Sequence, residues 1–437
     1  CRTIMSAGSR RGAMMGTLRC DHPDIVDFVA AKQDPERLRM FNVSVLVTDA
    51  FMQAVEADAE WPLVFGGETY RTVRARDLWQ HIMEANYAYA EPGVIFIDRI
   101  NRNNNLWYCE EIHATNPCGE QPLPPYGACL LGSINLARLV KQPFTDAAAL
   151  DTADLAELVP VAVRMLDNAI DASGFPLAAQ HSEARGKRRI GLGITGLADA
   201  LAMCGCTYGS AAAVAVTERW MAALRDHAYR ASVALAEERG AFPLFDADPY
   251  TQGTMIRDLD PELRTRIARS GIRNALVTSV APTGTISLLA DNVSSGLEPI
   301  YSKQYTRNVL ESDGSRSREA VTDYALDVFR RVHGPDAELP ESFVDVGDLT
   351  PEAHLRMQAA VQRYVDASVS KTINVPADIP FAEFERVYRR AYALGCKGCT
   401  TYRPNPVTGA VLESGEESES GGAPARTGGK VPMPARQ

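Results

Sequence analysis

Short apolar runs alternate with amphipathic helical stretches along nearly the whole chain, and this alternation is what most limits the folds open to it. Residues 40–47, 93–98 (GVIFID), 190–196 (IGLGITG), 275–280 and 371–375 have the apolar content and length of strands. Helical stripes lie between and around them. Ile25, Phe28 and Val29 follow the turn Asp21-His22-Pro23-Asp24, and a second stripe covers residues 51–57. Leu155, Leu158, Ala162, Met165 or Leu166, and Ala169 mark another, ending near Gly174. The longest spans residues 212–238, with Trp220, Leu224, Ala228 and Leu235 inward and Gly240 as its stop. Two more cover residues 351–369 and 380–394. Parallel strands need long crossovers, so the pattern predicts an α/β fold with mainly parallel strands.

With 437 residues, 46% hydrophobic and 23% charged, the chain can bury a large core. A formal charge of −10 argues against a nucleic-acid binder. No run reaches the roughly 18 apolar residues of a membrane helix, and no signal-peptide core opens the chain, so a cytoplasmic protein is expected. Nine cysteines scattered through so long a chain suggest redox or catalytic thiols, most of them inert, rather than a disulfide scaffold. The chain opens on Cys1 and enters a Gly/Arg-rich loop with no strand before it, which reads as a fragment whose beginning is missing. Residues 413–437 turn to Gly, Ser, Glu and Pro and are expected to be a disordered tail behind one unit over residues 1–412.

The chemistry concentrates at Asn116-Pro117-Cys118-Gly119-Glu120. If this stretch is extended, Asn116, Cys118 and Glu120 project to one side. A thiol, a carboxylate able to act as general base or acid, and an amide able to bind a hydroxyl would then share one surface. A hairpin-like return through Pro124-Pro125-Tyr126-Gly127 can bring Cys129 to the same pocket. Two thiols and a carboxylate favour redox chemistry on a hydroxylated substrate over hydrolysis, because a Cys nucleophile wants a histidine and His113 would project the other way. The turn Pro282-Thr283-Gly284-Thr285-Ile286-Ser287 can hold a phosphate on free N–H groups or be an ordinary N-cap turn; it has no Walker lysine. Gly191, Gly193 and Gly196 match G-x-G-x-x-G, but the acidic ribose ligand expected further on is missing, so close packing is the favoured reading. Cys396 and Cys399 have the spacing of half a zinc site or of a dithiol, yet no second half is found and structural thiols are favoured. Lys187, Arg188 and Arg189 read as a solvated basic cluster, while Arg10 and Arg11 lie in a glycine loop suited to a nucleotide contact.

Together these residues resemble the catalytic subunit of ribonucleotide reductases, specifically the adenosylcobalamin-dependent class II enzymes. Asn116, Cys118 and Glu120 resemble the active-site finger loop, and residues 282–287 the substrate-phosphate loop, followed by Ser294-Ser295-Gly296-Leu297-Glu298-Pro299. Arg10-Arg11-Gly12-Ala13 is similar to the specificity loop, and Lys397-Gly398-Cys399-Thr400-Thr401-Tyr402-Arg403 to the last barrel strand. The resemblance implies a ten-stranded α/β barrel of the reductase and glycyl-radical type, with the finger loop entering its centre. It also implies reduction of ribonucleotides, read here as diphosphates, to deoxyribonucleotides. Cys118 would carry the thiyl radical that takes the 3′ hydrogen, Glu120 would accept the 3′-hydroxyl proton, and Asn116 would hold the substrate hydroxyls. Cys129 would be one of two reducing thiols. Adenosylcobalamin, nucleotide effectors, thioredoxin or a similar dithiol, and a homodimer are implied with them. Class I enzymes relay their radical through adjacent tyrosines where this chain has Thr400-Thr401-Tyr402, which favours class II. The glycyl-radical class fits less well, since no radical-glycine motif is readable. Two departures stand out: the strands carrying the partner thiol of Cys129 would precede Cys1, and no Cys follows Cys399 as a tail reductant. The rival readings are a class I subunit with an external radical generator, a split nucleotide-binding fragment, and a dinucleotide-dependent oxidoreductase.

Overall fold

The computed structural model describes residues 13–34, 37–38, 40–310, 316–404 and 413–414. Of the expected specificity loop, Arg10, Arg11 and Gly12 lie outside the described residues, and Ala13 is exposed just ahead of the first strand. The expected tail also lies outside them, except for Glu413 and Ser414, which pair with the strand Gln304–Leu310.

Strand β1 (Met14–Arg19) leads through helix α1 (Ile25–Ala30) to β2 (Phe41–Val47), and helices α2 (Asp49–Glu56) and α3 (Ala75–Tyr89) then lead to β3 (Gly93–Phe96). The strand expected over residues 93–98 ends early, because helix α4 (Ile97–Arg102) begins at Ile97. A short hairpin, β4 (Ala114–Thr115) and β5 (Pro122–Leu123), carries the Asn116 motif. Next come β6 (Leu130–Asn135), helix α5 (Thr152–Ala172), β7 (Ile190–Thr195), α6 (Leu197–Met203) and the long α7 (Ala211–Arg239). Later elements are α8 (Gly284–Leu289), α9 (Tyr324–His333), α10 (Pro351–Gln362), β8 (Thr372–Asn374), α11 (Phe381–Ala393) and β9 (Gly398–Tyr402).

Local chemistry sets the helix ends. The Asp151 carboxylate accepts from the Ala153 and Asp154 N–H groups at the start of α5, and the Ser210 hydroxyl accepts from Ala213 N at the start of α7. Gly240 closes α7 at φ +85, a conformation that costs glycine little. Trp220, Leu224, Ala228 and Leu235 are all buried, as their spacing requires. Helix α10 stops at Gln362 rather than 369, since Asp366 leaves helical geometry to accept from Val277 N (2.7 Å) and Thr278 N (3.0 Å).

The strands follow one order through two sets of direction. One sheet runs β1-β2-β3-β9-β8, with β1, β2 and β3 mutually parallel, β9 antiparallel to β3, and β8 parallel to β9. A parallel pair joins β6 to β7. Residues 275–280, read from the sequence as a strand, are tied in by the single parallel bridges Leu192↔Thr278 and Val280↔Val369 rather than by a full ladder. The last bridge reaches the segment that runs into β8, so within this wall the direction reverses only at the β3/β9 seam among the described residues. The prediction of mainly parallel strands holds on either side of that seam.

Among the described residues, two large apolar cores flank this wall. Helices α5 and α7 pack Val163, Leu224 and Tyr229 around β7, and helices α1 to α3 with α11 pack Ile25, Phe51, Trp79 and Tyr388 around β1 to β3 and β9. The glycines of the 191–196 pattern are close-packing positions. A Cβ on Gly193 would stand 2.1 Å from the Ser279 carbonyl oxygen, and one on Gly191 would stand 2.7 Å from Gln121 Nε2. The Lys187–Arg189 cluster is not solvated as the sequence suggested. All of it is buried, because Glu110 pairs with Lys187 (2.8 Å) and with Arg189, and Asp167 pairs with Arg188 (2.8 Å).

Candidate active site

The Asn116 motif is a tight turn and not the extended stretch expected from its spacing. Asn116 N donates to Gln121 O and Gly119 N donates to Asn116 O, each at 3.0 Å, while Gly119 adopts φ +81. The Asn116 side chain braces the turn: its oxygen accepts from Gln121 N (3.0 Å), and its amide lies near enough to the Glu120 carboxyl to favour the charged form. The three side chains therefore take different levels. Cys118 is exposed at the tip, Asn116 is half-buried, and Glu120 lies beneath at 3% exposure.

Main-chain carbonyls fix this turn to both sets of strands. Asn42 Nδ2 on β2 donates to Pro117 O (2.8 Å). From the opposite set, Ser368 N (3.0 Å) and Ser279 Oγ (2.9 Å) donate to Glu120 O. At the base of the hairpin Thr17 Oγ1 on β1 donates to His113 O (3.0 Å), and His113 itself is exposed. The turn thus spans the space enclosed by the strands.

A cavity of roughly 450 Å³ opens at its tip, bounded by Pro117, Cys118 and Gly119, by Pro282, and by Lys371, Cys399 and Thr400 from the β8 and β9 region. That volume falls in the ~300–1,000 Å³ range of small-molecule pockets. A larger cavity of about 620 Å³, walled by α7 and α10, contains none of the motif residues, and Lys397 borders both. Asn116, Glu120 and Cys129 are not in the wall of the cavity at Cys118. Cys129 sits just before β6, its thiol donating weakly to Leu130 O (3.7 Å). The hairpin return expected from the sequence thus delivers it to the strand wall rather than to the turn tip.

Electrostatics separate the groups further. Burial pushes the Glu120 carboxyl above the usual carboxylate range, the Asn116 amide opposing it, and its Oε2 has no hydrogen-bond partner among the described residues. Burial also raises the Cys129 thiol, against the pull of the Arg189 cation. Cys396 and Cys399 are buried, and burial pushes both up, which fits structural thiols.

In the phosphate-loop candidate, Thr283 takes φ +53, unusual for a β-branched residue. Its hydroxyl pairs with Thr195 Oγ1 (2.9 Å) and accepts from Gly296 N (2.7 Å). Gly284, Thr285 and Ile286 are exposed, Pro282 lines the cavity, and Ser287 Oγ is 3.0 Å from Ser295 Oγ. The loop is therefore pinned at Thr283 and Ser287, with the three residues between them exposed.

Residues 1–402 match the family described as ribonucleotide reductase, barrel domain. The chain belongs to the ribonucleotide reductase barrel family. The strand wall with its one reversal is the corresponding α/β barrel, and the Asn116 turn is the finger of that reductase barrel. A vitamin B12-dependent ribonucleoside-diphosphate reductase of Mycobacterium tuberculosis is 41% identical over 94% of the chain, which covers 59% of that protein. One of Thermoplasma acidophilum is 37% identical over 94% of the chain and 54% of the relative. A ribonucleoside-diphosphate reductase large subunit of Caenorhabditis elegans is 27% identical over 94% of the chain and 59% of its own length. The chain thus spans a little over half the length of these relatives.

Sequence reasoning missed several residues that hold or line this site. Asn42, Ser279 and Ser368 hold the finger, but Asn42 and Ser279 are small polar residues in strand-like runs and Ser368 lay in the stretch read as helix, so none gave a signal. Lys371 was read only as a strand start. Its ammonium is buried against Glu298, with His354 Nδ1 at 2.9 Å, and it lines the cavity. A lysine heading an apolar run was the available clue. Among the described residues, no helix is long and apolar enough to cross a membrane.

Proposed function

We propose that this barrel is the catalytic part of an adenosylcobalamin-dependent ribonucleoside-diphosphate reductase, acting on ribonucleotides by a thiyl-radical mechanism. The observation that carries the reading is the buried Glu120 carboxylate, with one unengaged oxygen, on the same tight turn that presents Cys118 to a nucleotide-sized cavity. Cys118 takes the hydrogen atom from C3′ of the ribose and returns it at the end. Glu120 accepts the 3′-hydroxyl proton; burial makes its carboxylate a stronger base than usual. Asn116 fixes that carboxylate and binds substrate hydroxyls. Water leaves from C2′, and two thiols, Cys129 and a partner, supply two electrons and two protons and close a disulfide. The 282–287 loop binds the substrate phosphates, and residues 10–13 form the specificity loop for nucleotide effectors. A dithiol of the thioredoxin kind restores the thiols, and the working unit is a homodimer.

The resident group fits the cavity wall in one respect the side chains supply. Thr400, Thr401 and Tyr402 all border the cavity, with Thr401 held at Tyr388 OH (3.0 Å) and Asn86 Oδ1 (3.0 Å), so threonines rather than a tyrosine pair precede Tyr402 along this wall. Thr400 and Ser370 would face the adenosyl end. When bound, adenosylcobalamin supplies the one-electron chemistry that ordinary side chains cannot begin.

The test uses the full-length gene product with adenosylcobalamin, a dithiol and a ribonucleoside diphosphate, following deoxyribonucleotide formation. Turnover that requires the cobalamin and disappears in Cys118→Ser is expected. Turnover without cobalamin, or in Cys118→Ser, overturns the proposal.

A further inference from the structure

Arg189 is a buried cation with spare hydrogen-bonding capacity at the edge of the reductase site. It is 3% exposed, one nitrogen engages Glu110, and Nε and Nη1 have no hydrogen-bond partner among the described residues. The strand register says what lies beside it. Ile190 is paired with Leu130 at the first step of the parallel β6/β7 ladder, so Arg189 and Cys129 enter adjacent strands side by side, where strands lie about 4.8 Å apart. Residues two apart share a face. Gly191 faces the finger, where a Cβ would meet Gln121 Nε2, and both Arg189 and Glu120 of the finger act on the Cys129 sulfur.

We propose that Arg189 is a positioning residue for Cys129, a cation anchored by Glu110 that stabilises the sulfur of this thiol as a thiolate. The proposal rests on the reading of Cys129 as a reducing thiol. In that role the step it serves is re-reduction: a thiolate of the external dithiol attacks the disulfide, the S–S bond breaks, and Cys129 leaves as a thiolate beside Arg189 before taking a proton. A second such exchange oxidises the external dithiol to its disulfide. Three charged groups act on this sulfur. Arg189 at the start of β7 favours the thiolate, while Asp366 behind α10 and Glu120 in the finger oppose it, on top of the burial that disfavours any charge. Of these three charged groups, Arg189 alone favours the reactive form.

The experiment is peptide-resolved alkylation of Cys129 by iodoacetamide across pH, on the full chain and on Arg189→Gln, Arg189→Lys and Glu110→Gln/Arg189→Gln. The double variant guards against a fold lost to an unpaired buried Glu110. Arg189→Gln and the double variant are expected to need a higher pH for the same Cys129 rate, losing about tenfold in rate for each unit of displacement. Arg189→Lys is expected to stay near the parent, and Cys118 alkylation is expected to be unchanged throughout. A Cys129 profile that is the same in all the folded variants overturns the proposal. Alkylation needs no turnover, so a parent that never reduces ribonucleotides refutes the reductase reading separately and leaves this result standing.

Discussion

Replacing Gly193 by alanine tests how closely the barrel wall is built and whether that closeness reaches the chemistry. The new Cβ would stand 2.1 Å from Ser279 O and 3.0 Å from Val280 Cα, both backbone atoms that no rotamer change can clear. Relief requires residues 275–280 to move away from β7, stretching Leu192 N→Val277 O (2.8 Å) and Ser279 N→Leu192 O (3.1 Å). Overpacking alone costs typically ~1–3 kcal/mol, and two weakened hydrogen bonds add about 1 kcal/mol each at most, so a loss near 3 kcal/mol is expected. At roughly 2 °C per kcal/mol for a large domain, the midpoint of thermal unfolding falls by about 6 °C. Gly191→Ala is the internal control. Its Cβ meets Leu131 Cδ2 and Gln121 Nε2 at 2.6 and 2.7 Å, flexible ends that can give way, and Ser279 Cβ at 2.8 Å, against the 2.1 Å approach to a carbonyl oxygen at Gly193, so its midpoint falls less. Because Ser279 Oγ holds Glu120 O, Gly193→Ala also displaces the finger and lowers turnover. Thermal unfolding followed by circular dichroism decides the matter: a Gly193→Ala midpoint within about 1 °C of the parent, or one above that of Gly191→Ala, would refute the reasoning.

Three further outcomes are expected. Burial holds the Glu120 carboxyl above the usual range, so between the unfolded pKa of about 4.3 and the folded one the native state keeps a proton that the unfolded chain has lost. Its contribution to stability therefore falls as pH rises through that window, and Glu120→Gln removes the fall while lowering turnover by ~10²–10⁴-fold. Urea unfolding of both proteins at several pH values measures this, and parallel stability profiles would sink it. Asn42→Ala deletes the bond to Pro117 O, costing about 1 kcal/mol of stability but up to ~10²-fold in kcat through a loosened finger; an unchanged kcat contradicts the spanning arrangement. Arg188→Met leaves the fully buried Asp167 without its closest cation and is expected to cost about 3 kcal/mol in urea unfolding, whereas a loss under about 1 kcal/mol would mean that Arg273 and Asn274 suffice.

Elements with a long repeating stripe were legible in the sequence. Helix α7 begins and ends within a residue of the predicted 212–238, since many turns of one period average out local ambiguity. Residues 275–280 were located but not their pairing, because one bridge on each side depends on β7 and on residues far along the chain. Asn116, Cys118 and Glu120 do share one turn, but the shape of that turn was not legible. Alternation assumes an extended backbone, while Gly119 at φ +81 and the Asn116 braces fold it into a turn. The Lys187–Arg189 cluster failed for a related reason: its partners Glu110 and Asp167 lie outside any local window, and a charge run next to a strand carries no mark of what faces it.

The finger's fastenings have a consequence for how its chemistry can be altered. Asn42, Ser279 and Ser368 grip the carbonyl oxygens of Pro117 and Glu120, groups that every amino acid possesses. Exchanging the side chain at position 118 leaves each of these grips in place. The barrel therefore acts as a mount that is indifferent to the reagent it holds, so a new reactive group installed at 118 would arrive already aimed into the cavity.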